Sequence, residues 1–132
     1  MIKRIIKIST ALRSAQEALQ EFSDAPHLDA ERLLMHVLKI KEASWLHSHG
    51  EEELDAETQQ KFEELVEERA TGKPLAYILG EWEFYGRPFY VTPDVLVPRP
   101  ETEELIRQAL PYIDVWRGIH PEEVRTIADI GT

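Results

Sequence analysis

Gly72-Lys73-Pro74-Leu75-Ala76-Tyr77-Ile78-Leu79-Gly80-Glu81-Trp82-Glu83-Phe84-Tyr85-Gly86 is the stretch at which the chain changes character. Up to Gly80 the apolar residues recur at helical spacing, and after it they fall in short aromatic, β-prone runs. Gly72 stands where a preceding helix needs a C-terminal cap, Pro74 opens a one- or two-turn helix over Leu75–Leu79, and Gly80 closes it. Trp82 and Phe84 form one run, Phe89 and Val91 a second, and Tyr85–Pro88 separates them with Gly86 as the turn residue. A β-hairpin is therefore expected, with Pro88 limiting the second run to an edge or a late start.

Working back from that boundary, four helices are expected. Leu12, Ala15, Leu19 and Phe22 mark the first, with Ser9 or Thr10 as its cap. The polar turn Ser23–Pro26 leads to the second, where Ala30, Leu33, Leu34, Val37 and Leu38 form the stripe of a core-facing helix. A short third helix over Ala43–His47 turns Trp45 and Leu46 inward and ends at Gly50. The fourth begins at the N-cap Asp55 and buries Phe62, Leu65 and Val66. Short links between short helices predict a small bundle.

Working forward, Val95–Val97 leads into Pro98-Arg99-Pro100-Glu101-Thr102-Glu103. Pro100 suits a first helical position, and Glu101, Glu103 and Glu104 favour the positive end of the helix dipole. That helix is expected to run through Leu110 and stop at Pro111. The final Thr126–Thr132 reads as a buried strand entering a glycine turn, a common opening of nucleotide-binding domains. The fold class is mainly α: a helical bundle over residues 1–80, a β-hairpin linker over 81–97, and the first helix and strand of a truncated Rossmann-like α/β domain over 98–132.

The net charge of −10 is uneven. Residues 1–10 carry three basic groups and no acidic one, residues 11–80 carry 7 basic against 15 acidic, and residues 81–132 carry 5 against 10. Such a surface repels phosphate backbones, so direct nucleic-acid binding is not expected, while a protein partner is electrostatically easier. The plainer account, solvated helix faces, fits the same counts. The 132 residues contain no cysteine, which removes disulfides and thiolate chemistry. No apolar run reaches the roughly 18 residues of a membrane span, no secretory signal is read, and the cytoplasm is the expected compartment.

The run from Arg69 to Leu105, through Gly72–Gly80, Glu83–Gly86, Phe89–Val91 and Val95–Glu103, resembles the HemK/PrmC family of release-factor glutamine methyltransferases in order and spacing. The closing Asp129-Ile130-Gly131-Thr132 is similar to the start of that family's S-adenosylmethionine loop. The resemblance implies an N-terminal helical domain, a hairpin linker and a Rossmann-like methyltransferase domain. It further implies methyl transfer from S-adenosylmethionine to the glutamine side-chain amide in the Gly-Gly-Gln motif of peptide-chain release factors. By the same resemblance Asp129, Gly131 and Thr132 would take part in cofactor binding, and Pro98, Arg99, Pro100, Glu101 and Thr102 would lie near the active site. The family's Asn-Pro-Pro-Tyr motif has no counterpart in these residues, nor does the acidic group for the cofactor ribose, so no catalytic residue is assigned and the chain by itself is expected to be inactive.

Two roles are open to Arg99, contact with substrate or cofactor and an ion pair that pins the helix start. Glu101 and Glu103 are read as dipole-stabilising, and His47 and His49 lack further ligands to complete a metal site. Trp45, Trp82 and Phe84 are read as packing residues, and Tyr77 and Tyr85 as interface residues beside a hinge. The rival classes are a stand-alone helical interaction module and a related amide methyltransferase with another substrate.

Overall fold

The computed structural model describes residues 4–130. Its elements run α1 (Ile8–Leu19), α2 (Pro26–Leu38), α3 (Ala43–Ser48), α4 (Ala56–Ala70), α5 (Leu75–Leu79), β1 (Glu81–Phe84), β2 (Arg87–Tyr90) and α6 (Pro100–Ile119). The chain is mainly helical, with one two-stranded antiparallel hairpin.

The first five helices close around one core. α1 contributes Ile8, Ala11, Ala15 and Leu19, α2 contributes Ala30, Leu33 and Leu34, and Leu46, Phe62, Val66 and Leu75 come from the other three. Leu19, Leu33, Leu34 and Leu46 are completely enclosed. Each such side chain contributes about 1.5–3 kcal/mol relative to leaving it in water.

The N-terminus of α1 differs from expectation. Neither Ser9 nor Thr10 caps it; Lys7 holds that position, and its side chain makes no cap bond. The free amides are satisfied from far along the chain instead, Ile8 N–H donating to the Glu52 carbonyl and Ser9 N–H to that of Gly50, each at 2.9 Å. Leu54 N–H returns a bond to the Ile6 carbonyl at 3.0 Å, so the segment after α3 forms a single bridge against Lys7. Helix ends need partners for their first amides, and here a loop supplies them in place of a side chain. α1 also stops at Leu19, which leaves Phe22 outside the helix and 44% exposed.

α4 is capped as expected: the Asp55 carboxylate accepts from Thr58 N–H at 2.9 Å and from the Thr58 hydroxyl at 2.6 Å. Those two bonds hold the Asp55 carboxyl below its ordinary value. Gly72 and Gly80 take positive φ after α4 and α5, where a side chain would be strained. Pro74 stands as the N-cap of α5, one residue before its first turn.

The hairpin turn is tighter than the spacing suggested. Tyr85 and Gly86 alone form it, both at positive φ, and β2 begins at Arg87 rather than beyond Pro88. Val91 N–H donates to the Gly80 carbonyl, which makes Gly80 and Val91 a hydrogen-bonded pair. Alternation then makes Trp82–Phe89 and Phe84–Arg87 hydrogen-bonded pairs, and Glu83–Pro88 a pair without ladder bonds. Pro88 sits in the strand because its missing N–H faces away from β1.

Beyond the hairpin two expectations fail. α6 does not stop at Pro111 but continues to Ile119 with that proline inside it. A proline removes one backbone bond, to the carbonyl four residues earlier, and on an exposed helix water can take its place. Residues 126–130 form no strand, and Ile127 and Ile130 are 66% and 91% exposed. A strand is defined by its partner, and no other strand lies beside this segment among the described residues.

Candidate functional site

The expected site residues fall in two places. Pro98 and Arg99 end the segment after the hairpin, and Pro100, Glu101 and Thr102 form the first turn of α6, with Thr102 N–H donating to the Arg99 carbonyl at 3.1 Å. Asp129 lies in the exposed tail after α6, and the expected cofactor residues Gly131 and Thr132 lie outside the described residues. The clefts lined by Arg99 and by Pro100 do not include Asp129. Asp129 is exposed and outside any helix or strand.

Arg99 lines a cleft of about 460 Å³ between the bundle and the segment leading to α6. Asp29, Arg69, Tyr77, Trp82 and Val97 share its wall. The ion pair offered for Arg99 does not form: among the described residues its guanidinium has no hydrogen bond or salt bridge. The charged pair in this cleft is Asp29–Arg69, joined at 2.9 Å with both side chains 12% exposed. Arg69 also donates to the Lys73 carbonyl at 3.2 Å, so the same guanidinium ties α2, α4 and the turn before α5. A desolvated pair this well bonded fixes geometry more than it adds stability.

Three contacts bind the hairpin and the segment beyond it to their neighbours. The Arg32 guanidinium of α2 lies over the Trp82 ring at 5.1 Å, the Tyr77 hydroxyl of α5 donates to the Val95 carbonyl at 2.6 Å, and Tyr85 N–H donates to Glu103 of α6 at 2.9 Å. Tyr77 and Tyr85 are thus both placed at junctions. Phe84 packs edge-on against Phe89, while Trp45 stacks on His49 with centroids 3.9 Å apart. His47 lies 3.0 Å from Glu31, so the two histidines have separate neighbours.

The sequence reading missed Asp29, Arg69, Arg32 and the reach of Glu103. Asp29 carried a signal: it stands four residues before Leu33, on the buried stripe of α2, where a carboxylate needs a charged partner. In the sequence Glu103 stands only as a dipole-stabilising residue, and nothing local connects it to Tyr85.

These features define a class: a closed helical domain leading through a β-hairpin into a long exposed helix, without an assembled catalytic centre among the described residues. The family model for the PrmC N-terminal domain matches residues 10–80. The chain belongs to that family. It is 39% identical over 128 residues to the release factor glutamine methyltransferase of Coxiella burnetii, a match covering 97% of this chain and 44% of that protein. The Vibrio cholerae enzyme of the same name is 45% identical over 106 residues, covering 80% of the chain and 37% of the relative. That of Nitratidesulfovibrio vulgaris is 48% identical over 102 residues, covering 75% and 34%. The chain therefore spans less than half the length of the curated relatives it matches. No helix among the described residues is long and apolar enough to cross a membrane.

Proposed function

We propose that this chain is the substrate-recognition and linker part of a protein-glutamine methyltransferase acting on peptide-chain release factors in the cytoplasm. The observation that carries this reading is the extent of the similarity. It runs over 97% of the chain in the Coxiella burnetii relative, through the hairpin and the Pro98–Glu103 segment and not only the 10–80 module. In this reading residues 1–80 recognise the release factor, residues 81–97 link, and residues 98–132 begin the methyltransferase domain. Pro98, Arg99, Pro100, Glu101 and Thr102 would then border the active site, and Asp129, Gly131 and Thr132 would contribute to the S-adenosylmethionine site.

An amide nitrogen is a poor nucleophile because its lone pair is delocalised into the carbonyl. Methylating it requires an oriented amide beside a closely held methyl donor, so positioning supplies much of the rate. A large protein substrate is positioned better through a second contact far from the reacting group, and the helical domain is suited to give one. Its acidic surface is complementary to basic patches on a partner. The chain alone is expected to bind a release factor and to transfer no methyl group.

Isothermal calorimetry of the chain against a purified release factor, with S-adenosylmethionine titrated separately, tests the reading. Binding of the release factor without the cofactor supports it, and absence of release-factor binding removes the recognition role from these helices. Charge reversal at Glu63, Glu64, Glu67 and Glu68 locates the face: an unchanged affinity places the contact elsewhere on the domain.

A further inference from the structure

The acidic residues of α6 do not share one environment. Glu104 is 56% exposed at its side chain, as befits a solvated helix, whereas Glu103 is only 22% exposed. Both Glu103 oxygens are engaged: Oε1 accepts from Tyr85 N–H at 2.9 Å, and Oε2 accepts from Arg107 Nη2 at 2.9 Å. The first bond crosses between elements 18 residues apart and reaches the tip of the hairpin. Arg107, one helical turn away, holds the carboxylate toward it.

The atom that Glu103 takes is otherwise free. In a two-residue hairpin closed by the Phe84–Arg87 pair, the ladder uses the amides of the flanking residues, and the first loop residue has no ladder partner for its N–H. That residue is Tyr85, with φ of 50°, where asparagine, aspartate or glycine is normally preferred. An unfavourable turn conformation and an unsatisfied donor thus meet one carboxylate that favours the first and satisfies the second. No strand or helix of the bundle packs extensively on α6, whose residues are all exposed or half-buried.

We propose that Glu103 is a positioning residue that clamps the N-terminal half of α6 onto the hairpin tip, so that α6 keeps a fixed orientation relative to the hairpin and to the bundle on which the hairpin packs. The inference goes beyond the proposed function and does not depend on which reaction the family relationship implies. The Tyr77–Val95 bond and the Arg32–Trp82 stack act at the other junction, between the helices and the hairpin with the segment that follows it. With the clamp closed, Arg99 and Pro100 are held beside Trp82 at the mouths of the two clefts they line.

The chain has no cysteine, so Glu17→Cys and Asp114→Cys introduce two unique labelling sites, on exposed positions of α1 and α6. Spin-label distances between them report the orientation of α6, and amide exchange at Tyr85 reports the bond itself. Glu103→Ala is expected to speed Tyr85 exchange by about tenfold and to broaden the distance distribution. Glu103→Gln, which keeps an accepting oxygen, is expected to restore most of both. Glu104→Ala removes a carboxylate from the same turn without touching the hairpin and is expected to change neither. An unchanged Tyr85 rate in Glu103→Ala overturns the bond, and an unchanged distance distribution overturns the clamp. Broadening in Glu104→Ala equal to that in Glu103→Ala overturns it too, because loss of helix would then account for the effect.

Discussion

Helices α4 and α6 invert the usual relation between apolar content and burial. α4 has few large apolar residues, yet Phe62 and Val66 are buried, and Gln59 with them. α6 carries Leu105, Ile106, Leu110, Tyr112, Ile113, Val115, Trp116 and Ile119, and buries none. What separates them is the presence of a facing surface: α4 lies against α1 and α2, while α6 meets the rest of the molecule through its first turns. Most helical stability in proteins comes from packing an apolar face, so α4 shares the stability of the core. Among the described residues α6 rests on intrinsic propensity, its charge pairs, the contacts of Trp116 with His120 and Arg125, and the bond at Glu103.

The largest effect that tests this contrast is Leu34→Ala, which opens a cavity at a fully enclosed site and is expected to cost about 3 kcal/mol in urea unfolding. Leu105→Ala, at a side chain 68% exposed, is expected to stay within about 0.5 kcal/mol. Equal costs would break the comparison. Ion pairs should divide in the same way. Arg69→Ala strands the carboxylate of Asp29 and is expected to cost about 2–3 kcal/mol, whereas Arg107→Ala, from a pair 54% exposed on the arginine side, is expected to cost less than about 1 kcal/mol by the same measurement.

Pro111→Ala probes α6 from the other side. It returns a backbone donor and removes a residue up to about 3 kcal/mol less favourable in a helix interior than alanine. Far-UV circular dichroism is expected to show more helix, while the melting temperature of the bundle stays fixed. A shift in that temperature would mean the two regions are coupled more strongly than their contacts indicate.

The smallest effect concerns pH. The folded Asp55 carboxyl lies below its ordinary value of 3.8, because the Thr58 hydroxyl and amide favour the charged form. The unfolded state therefore takes up a proton first as pH falls. The contribution of this cap is complete above the unfolded value and is lost as pH drops through the folded one. Asp55→Asn keeps a capping oxygen but does not titrate, so its stability is expected to fall less steeply between about pH 5 and pH 3. An identical slope in both proteins would assign the acid sensitivity to other carboxyls.

Local features were legible in the sequence and distant ones were not. The Asp55 cap, the Ala30–Leu33–Leu34 stripe, the glycines at 72 and 80 and Pro100 at the start of α6 each follow from a few neighbouring residues. The cap of α1 comes from carbonyls more than 40 residues away, and no reading of Ser9 or Thr10 would reveal it. Phe22 fits the helical period but lies beyond the point where α1 ends, and Pro111 broke the period on paper without ending α6. Of the candidate site, the run Pro98–Thr102 is singled out only by the family resemblance, which its two prolines help to carry. Its neighbours Asp29, Arg69 and Trp82 come from three other elements and meet only in the folded chain.

The placement of Pro88 bears on how molecules of this protein behave in company. A two-stranded ribbon is all edge, and an open edge invites a strand from another molecule to add to it. On the outer side of β2, the residues whose amides point away from β1 are Pro88 and Tyr90, and the first of these has none to give. A newcomer would find a gap in the row of donors at the middle of a four-residue strand. The same residue that fits the hairpin without loss therefore blunts it as a template, and helps to keep this connector from seeding aggregates.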